Sequence, residues 1–150
     1  MSQNAFDQII DNLYVGNIES AEKYGNQFDL VVNCTKDIPF PSDCKKCIRI
    51  HVNDTPMESD SMYYQIQTTN VFSEIYNTLQ ENGKVLIHCF AGVQRSCALT
   101  ACFLIWIFRM TPTDAIHMIR NKRPIAFFGN VNFMHTINNV YEHRELIRYH

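Results

Sequence analysis

"VLIHCFAGVQRSCAL", residues 85–99, decides how the rest of the chain is read. Lys84 to His88 reads as an apolar strand that follows a helix stop at Asn82-Gly83. A short loop then ends in Arg95, and from Ser96 to Phe108 the chain is apolar nearly all round, which predicts a central buried helix. A strand feeding a helix through a short loop places that loop at the carboxyl end of the strand, where α/β folds bind ligands.

The loop's composition suits an anion. The first N–H groups of a helix have no internal partner and carry partial positive charge. Gly92 allows positive φ, so the loop amides can converge into a nest, and Arg95 adds a planar fork for two oxygens at once. The side chains of Phe90, Ala91, Val93 and Gln94 are uncharged, so the main chain carries most of the contacts. The same positive field favours a thiolate at Cys89, the nucleophilic form of cysteine. One pocket thus binds a dianion and activates a nucleophile.

Further out, Leu13 to Gly16 and Asp29 to Cys34 read as strands, and Cys47 to Val52 alternates as a strand with one solvated face. Tyr63 to Gln80 carries Ile66, Val71, Ile75 and Leu79 at helical spacing. Thr111-Pro112 is an N-cap followed by proline at the first helical position, predicting a helix to about Asn121. Asn130 is a candidate cap for a last helix through Phe133, Ile137, Val140 and Leu146. Strands alternating with helices, then helices alone, predict an α/β domain: one mostly parallel twisted sheet flanked by helices, spanning residues 1–150 without repeat or linker.

Composition narrows the function classes. The 150 residues are 46% hydrophobic and 19% charged with a net charge of -2, which offers no bulk attraction to nucleic acid or membrane. The apolar run Ala98 to Phe108 is too short to span a bilayer and stops at Arg109. The opening MSQNAFDQII has neither region of a secretory signal. Cysteines at 34, 44, 47, 89, 97 and 102 therefore read as reduced thiols in an intracellular protein, cytoplasmic or nuclear. Cys44-Lys-Lys-Cys47 with His51 outlines a metal half-site but lacks a second ligand pair, so neither metal nor other cofactor is expected. Arg120, Lys122 and Arg123 cluster at a helix end, where cations complement the dipole.

Cys89-Phe-Ala-Gly-Val-Gln-Arg95, with His88 before it and Ser96 after, resembles the Cys-x5-Arg signature of the protein tyrosine phosphatase superfamily. The likeness is greatest to the small atypical dual-specificity phosphatases, including the poxvirus-type enzymes. Asp11 to Asn17, Val31 to Thr35 and Asn130 to Met134 resemble further segments of that family. The resemblance implies a phosphatase-like fold and hydrolysis of phosphotyrosine and phosphoserine/threonine in a phosphorylated protein partner, through a cysteinyl-phosphate intermediate. Same-fold alternatives are an RNA 5′-triphosphatase, a phosphoinositide phosphatase and a non-catalytic phosphoprotein-binding module.

The resemblance also implies roles. Cys89 is the nucleophile, residues 90–94 and Arg95 hold the phosphate, and the Ser96 hydroxyl assists breakdown of the intermediate. Asp54, on the loop after the strand at 47–52, matches the general acid, with Glu58 and Asp60 as alternatives. His88 braces the loop. Cys34 matches a thiol that in some relatives forms a reversible disulfide with the nucleophile, and Cys97 replaces a usually small residue. Phe127-Phe128-Gly129 departs from the family pattern near the expected pocket rim.

Overall fold

The computed structural model describes residues 3–149. Its strands are β1 (Phe6–Ile10), β2 (Leu13–Gly16), β3 (Leu30–Asn33), β4 (Cys47–Arg49) and β5 (Val85–His88), in the sheet order β1-β2-β5-β3-β4. The helices are α1 (Ile18–Tyr24), α2 (Ser59–Thr68), α3 (Val71–Gln80), α4 (Arg95–Phe108), α5 (Pro112–Lys122) and α6 (Met134–Glu142). The expected mostly parallel α/β sheet is present; only the β1–β2 pair is antiparallel.

β5 lies at the centre because every residue of it is buried and it has parallel neighbours on both sides, Ile87 lying opposite Val15 and Val32. An unbroken apolar run is what a strand covered on both faces requires. Leu86 packs with Ala21, Phe28 and Val31 under α1. Val85 and Ile87 point the other way, into the main core with α4. α4 is buried continuously from Ser96 to Ile105. Each large apolar side chain it buries contributes about 1.5–3 kcal/mol, which makes α4 the packing axis that α5 and α6 lean against.

Departures from the sequence reading have local causes. β1 carries no clear period-two signal and joins as the antiparallel edge. The helix expected over 63–80 is two helices: Asn70 adopts a left-handed φ of 57° and the Thr69 N–H closes back on the Gln65 carbonyl. Asparagine tolerates that conformation better than most residues. β4 ends at Arg49, after which only the Ile50 N–H reaches the Asn33 carbonyl. The last helix starts at Met134 rather than at Asn130, whose carbonyl instead accepts from Gln94. The Thr111 cap forms as expected, its Oγ1 accepting from the Asp114 N–H at 3.2 Å.

Cys44 and Cys47 are joined in a disulfide, which corrects the reading of all six cysteines as reduced. Cys34, Cys89, Cys97 and Cys102 are free and buried. Among the described residues no cluster is arranged to hold a metal ion, and no helix is long and apolar enough to cross a membrane.

Candidate active site

β5 and α4 deliver the loop of residues 89–94 to the carboxyl edge of the sheet. Its main chain has a definite polarity. The Phe90 carbonyl accepts from the Ile18 N–H at 3.0 Å, and Ala91 from Gln3 Nε2 at 2.9 Å. The Gly92 carbonyl accepts from Arg123 Nε, and Val93 from the Phe127 N–H, each at 2.8 Å. The backbone N–H groups of Phe90 to Gln94, by contrast, donate to no acceptor among the described residues. With four successive carbonyls tied back into the protein, the amides are left as an anion-binding nest.

Gly92 makes that turn possible. Its φ is 69°, and a Cβ there would lie 2.6 Å from Arg123 Nη2 and 2.8 Å from the Gly16 carbonyl. The Cys89 N–H donates to that Gly16 carbonyl at 3.3 Å, fixing the loop's first residue to the end of β2. Cys89 is buried, and its Sγ lies 3.2 Å from the Ser96 hydroxyl in the first turn of α4. Arg95 donates from Nη1 to the Val52 carbonyl at 3.0 Å, while its buried Nε has no protein partner among the described residues. A buried cationic donor left without an acceptor is costly, and an oxyanion in the nest would satisfy it.

Asp54 is exposed two residues beyond Val52, so the Arg95–Val52 bond ties the segment that carries Asp54 to the start of α4. Its Oδ1 accepts from Asn132 Nδ2 at 3.0 Å. The alternative carboxylates are committed elsewhere. Glu58 accepts from the Asn53 N–H at 3.0 Å and pairs with Lys36 at 3.1 Å; the backbone N–H, then Lys36, hold its carboxyl below the usual range. Asp60 is paired with His135 at 3.5 Å.

His88 is fully buried, and burial pushes its imidazole down to about 4, so it is neutral at physiological pH. Its Nδ1 lies 3.4 Å from the Cys89 carbonyl, at the long limit for a bond, and Nε2 has no partner among the described residues. Its contact with the loop is therefore mainly packing. The Cys34 N–H donates to the His88 carbonyl at 2.8 Å, which holds Cys34, one residue past the end of β3, against the end of β5; burial pushes its thiol well up. Cys97 is likewise pushed up by burial, and its thiol reaches the Gly92 carbonyl at 3.5 Å.

Three contributions escaped the sequence reading. Arg123, read as a helix-end cation, is wholly buried: it donates to Gly92, to the Asn4 carbonyl at 2.9 Å and to Asp7 at 2.8 Å. Phe127 is buried, with a left-handed φ of 58° and its N–H donated to Val93, whereas Phe128 and Gly129 are exposed. Gln94, expected to act through its main chain, also uses its whole side-chain amide. It donates to the carbonyls of Phe128 and Asn130 and accepts from the Asn132 N–H at 2.9 Å. Nothing local marks these partners: each lies about 30 or more residues from the loop position it holds.

Comparison with known proteins adds the relatives. Residues 13–143 match the family model "Dual specificity phosphatase, catalytic domain". The chain is 30% identical over 124 residues to 123R, a candidate tyrosine phosphatase of Invertebrate iridescent virus 6, covering 80% of this chain and 81% of that one. It is also 30% identical over 137 residues to human dual specificity protein phosphatase 9, covering 85% of this chain but only 34% of that longer protein. The fold matches the crystal structure of human DUSP28 with a TM-score of 0.80 at 20% identity, covering 94% of this chain and 95% of that one.

Proposed function

This chain belongs to the dual specificity phosphatase family and is a cysteine-dependent protein phosphatase; from that premise we propose that Cys89, Arg95, Ser96 and Asp54 carry the reaction. The observation that supports this most is the polarity of the loop, with four carbonyls bonded back into the protein, the amides unpaired and the sulfur of Cys89 buried at the loop's start. Residues 1–150 act as one catalytic domain in this reading.

The phosphate oxygens of a phosphorylated side chain sit on the amides of residues 90–94 and on Arg95, which meet the charge of a loose transition state with dipoles already in place. Cys89 Sγ attacks phosphorus as the thiolate. The P–O bond to the substrate breaks, and Asp54 protonates the departing oxygen. Asp54, now ionised, takes a proton from water as that water attacks the phosphocysteine, breaking the S–P bond and releasing inorganic phosphate. Ser96, at hydrogen-bond range of Sγ, donates to the sulfur as it recovers its charge. His88, neutral and buried, supports the loop without moving a proton.

The substrate is a phosphoprotein carrying phosphotyrosine or phosphoserine/threonine. RNA and membrane lipid fit less well, since no loop residue between Cys89 and Arg95 is charged and the chain's net charge is -2. A cytoplasmic location suits a nucleophile that must stay reduced. The test is a panel of phosphotyrosyl and phosphothreonyl peptides, a phosphoinositide and an RNA 5′-triphosphate, with phosphate release measured for each. Turnover of the peptides well above the other two is the expected result; preferential hydrolysis of lipid or RNA would overturn the substrate assignment.

A further inference from the structure

The segment after α5 contributes one side chain whose place the reaction scheme leaves unexplained. Asn132 donates from Nδ2 to Asp54 Oδ1 at 3.0 Å, across 78 positions of sequence. Its own N–H is held by Gln94 Oε1 at 2.9 Å, and Gln94 is itself a buried member of the phosphate loop. Gln94 Nε2, in turn, holds the carbonyls of Phe128 and Asn130, so the amide at position 94 is fixed at both ends. An unbroken series of contacts runs from the anion nest through Gln94 and Asn132 to Asp54.

We propose that Asn132 is a positioning residue for the general acid: its amide holds Asp54 by Oδ1, so that Oδ2 is the oxygen that gives and takes the proton. The chemistry of the two groups sets this division of labour. An amide N–H can only donate, so the oxygen facing it must accept and cannot also present a proton to it. The acid proton is therefore carried on the other oxygen. A carboxylate on an exposed segment otherwise rotates about its side-chain torsions, and one fixed oxygen removes much of that freedom. Because Gln94 belongs to the loop that grips the phosphate, the acid is referenced to the bound ester itself.

This inference rests on the reading of Asp54 as the acid, and its test separates the two. Hydrolysis is compared for two aryl phosphates: one with a strongly electron-withdrawing leaving group, which departs without protonation, and unsubstituted phenyl phosphate, which needs it. The proteins are wild type, Asn132→Ala, Asn132→Ser, Asp54→Ala and the Asp54→Ala/Asn132→Ala double variant. Asn132→Ala is expected to lower kcat about 10-fold on phenyl phosphate, in the range that misplacing a catalytic group costs, and to leave the activated ester within about 2-fold of wild type. Adding Asn132→Ala to Asp54→Ala should cost nothing more.

Equal losses on both esters, or no loss from either Asn132 variant while Asp54→Ala is impaired on phenyl phosphate, would overturn the positioning role. No loss from Asp54→Ala on phenyl phosphate would overturn the acid assignment, and the inference with it. A merely structural role for Asn132 would slow both esters alike.

Discussion

In the proposed reaction the phosphate loop and the acid segment work together, and they are held in different ways. Residues 90–93 are gripped by their main-chain carbonyls from three parts of the chain: Ile18, Gln3, and the turn that carries Arg123 and Phe127. Asp54 sits on an exposed segment whose ties to the loop side are two side-chain hydrogen bonds, from Arg95 to Val52 and from Asn132 to Asp54. The difference follows from what each must do. A nest that stabilises developing charge works by being ordered before the charge appears. An acid has to present one oxygen to a leaving group, and two anchors are enough for that.

If the grip on the loop is what matters most, damage there should exceed damage elsewhere. Arg95→Lys keeps the charge but loses the planar fork and the bond to Val52. It should lower kcat/KM for a phosphotyrosyl peptide by about 10²–10³; retention of near wild-type kcat/KM would mean that the loop amides alone suffice.

Arg123→Met sharpens the same contrast from behind the loop. It leaves Asp7 without its ion-pair partner and takes the guanidinium donor from the Gly92 carbonyl, which keeps only the longer contact from the Cys97 thiol. Urea unfolding should show a loss of about 2–4 kcal/mol, toward the lower end of what removing one member of a buried pair costs, because Asp7 keeps some contact with solvent. A loss below about 1 kcal/mol would show that Arg123 is not a brace.

The smallest effect concerns pH. His88 is pushed from its ordinary 6.5 down to about 4 by burial. The unfolded chain therefore binds this proton more readily, and stability is lost as pH falls below 6.5 toward 4. By pH 5 the loss should reach about 2 kcal/mol in denaturant titrations and should vanish in His88→Asn. A flat stability between pH 7 and 5 would place the imidazole in contact with water.

The same contrast explains what could be read from sequence. The strand, loop and helix from Val85 to Phe108 are consecutive and keep their own periodicity, so their order and burial are legible, as is the spacing of Cys89 and Arg95. Thr111-Pro112 announced α5 because capping is local. The donors that hold the loop open were not legible, since Gln3, Arg123 and Phe127 reach it only through the tertiary fold. Arg123 reads locally as a cation for the helix dipole because its partners, Asp7 and Gly92, lie 116 and 31 positions away. Asn132 was hidden for the same reason, and the break at Asn70 because one left-handed residue does not disturb an apolar pattern.

In the proposed mechanism the sulfur of Cys89 carries the phosphate between substrate and water. That transfer is tested most directly by mixing enzyme with a radiolabelled phosphotyrosyl peptide, quenching in acid within the first turnovers, and mapping the labelled peptide after proteolysis. Label on the fragment bearing Cys89, absent from Cys89→Ser, is the result predicted. Phosphate release by wild type with no label ever trapped on that fragment, or undiminished turnover by Cys89→Ser, would contradict it.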